Sequence, residues 1–163
     1  MDNFFDNVAA IIEQARTHVG RTADLTMCIA YFEIGRMIVE QEQSGKTRAE
    51  YGRGLLAELS EHLTERFGKG FSARSLANFR LFYLTYSPSI LQTMSAKLEK
   101  EQKKPIKSGL STIQQSMIAE SFPFRLSWSH YLVLLRTKND QERSFYGIEA
   151  INQQWTVRQL QRQ

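Results

Sequence analysis

GKGFSARSLANFRLFY, residues 68–83, is the stretch on which the architecture turns. Two glycines flank Lys69 in a tight turn, and Ser72 stands where a helix N-cap belongs. Leu76, Phe79, Arg80 and Tyr83 then recur at helical spacing, so a helix runs from Ser72 to about Tyr86. Upstream, Thr47-Arg48-Ala49-Glu50 reads as a capping box, in which hydroxyl and carboxylate each satisfy a backbone donor. The helix it opens reaches about Phe67, with Leu55, Leu56, Leu59 and Leu63 on its inner side. Two helices joined by a short glycine turn are the helix-turn-helix layout. The expected fold is all-α: a helical bundle with a helix-turn-helix-like (winged-helix-like) arrangement over residues 50–86.

Outward from that pair the helical period persists, and no convincing alternating strand pattern appears. Phe4, Phe5, Val8, Ile11, Ile12 and Ala15 mark a helix over residues 3–18, which Gly20 is expected to end. A second helix is expected from Thr22 to Ser44, with Leu25, Ile29, Phe32, Arg36 and Val39 along one side and Gly45 as its stop. Ser87-Pro88 should break the helix that began at Ser72, leaving a shorter one to about Leu98. EKEQKKPIKSG, residues 99–109, is charged and aperiodic and reads as a mobile basic loop. Residues 110–120 look weakly helical. Ser127, Asn139 and Thr156 each cap a further helix, the second expected to bury Phe145, Ile148 and Ile151. The organisation is thus an N-terminal helical region over 1–98, the loop at 99–109, and a C-terminal helical region over 110–163.

Composition narrows the function classes. Hydrophobic residues make up 42% of the 163, enough for a packed core. No apolar run approaches the roughly 20 residues that span a bilayer. The acidic start MDNFFDNVAA does not resemble a secretory signal, and the single Cys28 cannot form an internal disulfide. These features place the expected location in the cytoplasm. Net charge is +4, but its distribution is uneven. Residues 1–45 hold three Lys/Arg against seven Asp/Glu, whereas residues 46–110 hold twelve against six. The basic half begins where the candidate binding helices begin, as expected of a nucleic-acid footprint.

No catalytic constellation is legible. His18, His62 and His130 lie in separate helices, and no HExxH, CxxC or tight carboxylate pair exists, so no metal or cofactor is expected. Cys28 reads as a small core residue. In a helix-turn-helix the first residues of the second helix face the major groove, and here those are Ser72, Arg74, Ser75 and Asn78. Arg suits guanine O6 and N7, Asn suits adenine N6 and N7, and Lys69 and Arg53 would flank them. A second candidate group is Arg125, Ser127, Ser129 and His130 at another helix start, with Arg136 and Arg158 further on, all suited to phosphate. The competing reading makes the glycine turn ordinary bundle geometry, Ser127 only a cap and Trp128 only a core residue. The apolar N-terminal residues pack on their own domain or build a dimer.

Two blocks, YFEIGRMIVEQEQSGKTRAEYGRGLLAELSEHLTERFGKGFSARSLANFRLFY (31–83) and LSWSHYLVLLRTKNDQERSFYGIEAINQQWTVRQLQRQ (126–163), resemble the N-terminal domain of the bacterial YhcG family. The resemblance implies a DNA-binding or targeting domain that precedes a PD-(D/E)XK nuclease domain. This chain ends at Gln163, where the family continues toward that domain. No Pro-Asp followed by Glu-x-Lys occurs here, so the Mg²⁺-binding catalytic residues carry over to no position. Ser127-Trp128-Ser129-His130 and Thr156-Val157-Arg158-Gln159-Leu160 are also similar to the helical DNA-binding part of ParB-type partition proteins. The expected function is a non-catalytic nucleic-acid-targeting domain with DNA as partner, without membrane or small-molecule substrate. The alternative is an interaction or dimerisation module working through the apolar N-terminal helices.

Overall fold

The computed structural model describes residues 2–44, 48–101 and 123–163, with side chains described over 5–44, 54–92 and 123–163. Six helices are described: α1 (Asp2–Ser44), α2 (Arg48–Phe67), α3 (Ala73–Glu101), α4 (Trp128–Leu134), α5 (Asp140–Asn152) and α6 (Val157–Leu160). No strand occurs among the described residues, so the fold is all-helical. No helix among them is long and apolar enough to cross a membrane. Thr47 and residues 102–122 lie outside the described residues, and with them the capping box, most of the 99–109 loop and the 110–120 segment.

Two expected breaks are absent. α1 is one helix of 43 residues, about 65 Å long, and passes straight through Gly20. A glycine in an exposed helix costs only about 1 kcal/mol against alanine, too little to end a helix without a capping signal beside it. α3 likewise passes through Pro88. The proline ring is exposed, whereas Phe82, Tyr86 and Ile90 keep one inward stripe running past it. That burial offsets the roughly 3 kcal/mol of a lost backbone bond and ring clash.

The core forms where α1 crosses α3. Cys28, Phe32, Ile38 and Val39 of α1 meet Leu76, Phe79, Phe82 and Ile90 of α3. Arg36 is not on that inner side; it stays part-exposed and pairs with Glu33 at 2.9 Å and Glu40 at 2.6 Å. Gly35 is buried between the helices because a methyl there would fall inside the Phe79 carbonyl group and 2.9 Å from the Tyr83 Cβ. Arg80 reaches back from α3 to Glu42 at 2.6 Å, fixing the register of the crossing. α2 lies against this pair through Leu56, Leu59 and Leu63, together with Phe71.

The C-terminal helices close the core from the other side. Phe124, Tyr131 and Leu134 join Phe32 and Phe82 in one cluster, and Trp128 packs on both Phe79 and Phe82. In α5 the inward residue is Ala150, with Tyr146 beside it. Phe145 and Ile148, expected inside, are 58% and 57% exposed, and Ile151 is 37% exposed. The inward stripe of α5 runs through Arg143, Tyr146, Gly147 and Ala150, one position away from the larger side chains. At Gly147 a small residue suits the close approach of α5 to α4: the Leu134 Cδ1 is 3.7 Å from where a Gly147 Cβ would be.

Candidate nucleic-acid interface

The turn between α2 and α3 is set by its glycines. Gly68 and Gly70 have φ of 80° and 114°, left-handed values that favour glycine and let the chain reverse within four residues. Ser72 then caps α3, its Oγ accepting from the Ser75 backbone N–H at 3.2 Å. The Ser72 and Ser75 hydroxyls also bond to each other at 3.0 Å, so both serve the helix start.

Beyond those serines the polar groups have no partner among the described residues. Lys69 and Arg74 are exposed and Asn78 is half-exposed, and none has a side-chain partner among the described residues. Arg74 and Asn78 are four residues apart and share one face of α3. Exposed Arg66 lies beside them in sequence, its guanidinium 5.3 Å from the Phe67 ring centroid. Phe67 in turn contacts Phe71, with ring centroids 6.0 Å apart. Cations and accessible aromatic rings therefore alternate around one turn. Arg53 belongs to α2, but its side chain lies outside the described part.

The second group is divided by the structure. Arg125, Ser127 and His130 line one cleft of about 610 Å³ with Arg21, Asp24, Phe124 and Trp155. Arg136 instead borders a depression with Thr137, Tyr146 and Leu160. Ser129 and Arg158 are exposed and line neither.

His130 is already engaged on both ring nitrogens. Nε2 lies 2.8 Å from the Trp155 carbonyl oxygen, and since a carbonyl only accepts, Nε2 carries the proton. Nδ1 shares a hydrogen bond with the Ser127 hydroxyl at 2.7 Å. Ser127 spends its hydroxyl on this bond rather than on a cap. His130 thus ties the start of α4 to the α5–α6 turn, a link with no signal in sequence spacing. Arg125 uses its backbone N–H on the Tyr131 hydroxyl oxygen at 3.2 Å, which holds the chain entering α4 while its guanidinium stays exposed. Arg21, which no sequence pattern nominated, is brought to the same cleft by the unbroken α1.

Among the described residues no three His, Cys, Asp or Glu side chains gather as a metal site would require. Cys28 is fully buried, and its Sγ–H points at the Leu126 carbonyl at 3.6 Å. Burial, reinforced by the Asp24 carboxylate, pushes this thiol up to about 12, the opposite of a nucleophile's shift.

These features define an all-helical domain whose cations at the α2–α3 turn and around one cleft have no partner among the described residues. The chain belongs to the DUF1016 N-terminal domain family, whose model matches residues 7–163. It is 42% identical over 162 residues to an Escherichia coli (strain K12) protein named "Putative nuclease YhcG". The match takes in 97% of this chain and 43% of that relative, so the chain spans less than half of the relative's length. No solved structure matches.

Proposed function

We propose that this domain binds duplex DNA and positions a nuclease-type protein on it, without itself supplying the cutting chemistry. The observation that carries the reading is the start of α3, where Arg74 and Asn78 share a face and Lys69 precedes them, all unpaired among the described residues. An exposed arginine and a half-exposed amide, with no internal bond to give up, are available to base edges, and Lys69 is available to phosphate. The YhcG relative's name supports the nuclease context. Arg125 and Arg21 would add phosphate contacts from the cleft.

The test is fluorescence anisotropy of a labelled random duplex across a salt series. Phosphate binding predicts a log–log slope of about 0.9 per contact, with several contacts engaged. Arg74→Ala and Asn78→Ala should each weaken binding by about 1–3 kcal/mol where they read bases. Arg16→Ala, an exposed cation on the acidic part of α1, is the control. Equal losses at Arg16 and Arg74 would remove α3 from the interface.

A further inference from the structure

Three segments far apart in sequence meet at the cleft of about 610 Å³: α1 with Arg21 and Asp24, the chain entering α4 with Arg125, and the α5–α6 turn with Gln154 and Trp155. That turn is tied at both of its ends. The Trp155 backbone N–H donates to the Ala150 carbonyl at 3.0 Å, and the Trp155 carbonyl accepts from His130 Nε2 at 2.8 Å. Within it Gln154 has a φ of 52°, the left-handed value at which a helix end usually carries glycine. A side chain at that position costs backbone energy that glycine would avoid. Residues held in such conformations cluster at ligand sites.

We propose that this cleft holds one unpaired nucleotide, with its base on Trp155, its phosphate between Arg21 and Arg125, and its base edge read by the Gln154 amide. The proposal rests on the reading that the domain engages nucleic acid, and adds a second mode of contact away from α3. Trp128 contacts Phe79 and Phe82, whereas half-buried Trp155 packs on the core cluster without touching another ring among the described residues. An indole face without a ring neighbour is a stacking platform for any base. The Gln154 side chain is exposed and has no bond among the described residues. Its amide offers both donors and an acceptor, the complement of a base edge.

Charge and size favour this ligand over a duplex or a polyphosphate. Two exposed guanidiniums, Arg21 and Arg125, stand against one carboxylate, Asp24, so a single positive charge is left to balance one phosphodiester. The volume lies in the range of small-ligand sites, with room for one nucleotide but not for a base pair with both backbones. A paired base hides its faces in the stack and its edge in the pair, so only an unpaired one reaches Trp155 and Gln154 together. Ser127 and His130 are bonded to each other and to the turn, so they shape the wall rather than bind.

Titration of the 163-residue chain with a labelled deoxyadenosine dodecamer, a single strand, tests this directly. Anisotropy should show saturable binding, and tryptophan emission should fall as a base stacks. The chain has two tryptophans, so Trp155→Phe should remove most of that quenching and leave the Trp128 emission. Gln154→Gly should weaken binding about tenfold while its thermal melt holds or rises, because glycine suits the left-handed position. Arg16→Ala is the control and should bind as the wild type does. As a competitor, dAMP should displace the strand more effectively than inorganic phosphate. The proposal is overturned if the strand does not bind, if Gln154→Gly binds as tightly as wild type, if quenching persists in Trp155→Phe, or if phosphate competes as well as dAMP. Failure of the α3 reading would show separately, as duplex binding that Arg74→Ala leaves unchanged.

Discussion

At the scale of single residues, position in the hydrogen-bond network separates side chains that hold the fold from side chains free to act. His130 and Arg125 lie five residues apart and line the same cleft, yet their chemistry differs. His130 is committed on both nitrogens, to Ser127 and to the Trp155 carbonyl. The Arg125 guanidinium has no partner among the described residues. His130→Ala should therefore lower stability by about 1–3 kcal/mol, because the Trp155 carbonyl and the Ser127 hydroxyl lose their partner. Arg125→Ala should leave stability within about 0.5 kcal/mol while weakening duplex binding. Circular-dichroism melts and anisotropy on the two variants separate these effects. Equal destabilisation would mean that Arg125 is structural as well. Sequence could nominate both residues as polar groups near a helix start, but it could not show that one was already satisfied by a carbonyl 25 positions away.

Between elements, the crossing of α1 and α3 governs. A helix-interior glycine reads in sequence as a weak point, and at Gly20 that is all it is: nothing lies within 4 Å of an added Cβ. At Gly35 the same residue type is what lets two backbones touch. Gly35→Ala should cost about 3 kcal/mol through overpacking against the α3 backbone, a fall in Tm of about 6–12 °C for a chain of this length. Gly20→Ala should raise helix content slightly and leave the melt unchanged or higher. The reverse order of effects would mean that the helices pack elsewhere. Period and caps made the helices around Ser72, Asn139 and Thr156 legible, and the buried face of α3 through Leu76 and Phe79. The missed features share one cause. Gly20, Pro88 and the outward Phe145 and Ile148 were read from local preference, and each was decided by which face met a neighbouring helix.

Across the whole molecule, the core is largely one aromatic network, and its ionisable members report on global unfolding. Tyr131 is pushed up to about 12 by burial, and Tyr86 is raised by burial and by the neighbouring Tyr131 hydroxyl. With Cys28 also raised to about 12, the folded chain holds protons that the unfolded chain releases earlier. Stability from these groups is complete below about pH 8.5, where unfolded Cys begins to titrate, and is lost as pH rises toward 12. Tyrosinate absorbance should therefore rise together with loss of helical dichroism, and Cys28 should resist thiol reagents until that transition. Early tyrosinate signal from buried rings in a still-helical chain would contradict a single cooperative core. The unbroken length of α1 has a consequence of another kind. Because the helix does not break at Gly20, Arg21 stands about two turns from the buried Cys28 in fixed register, so the core itself sets where the cleft's cation lies.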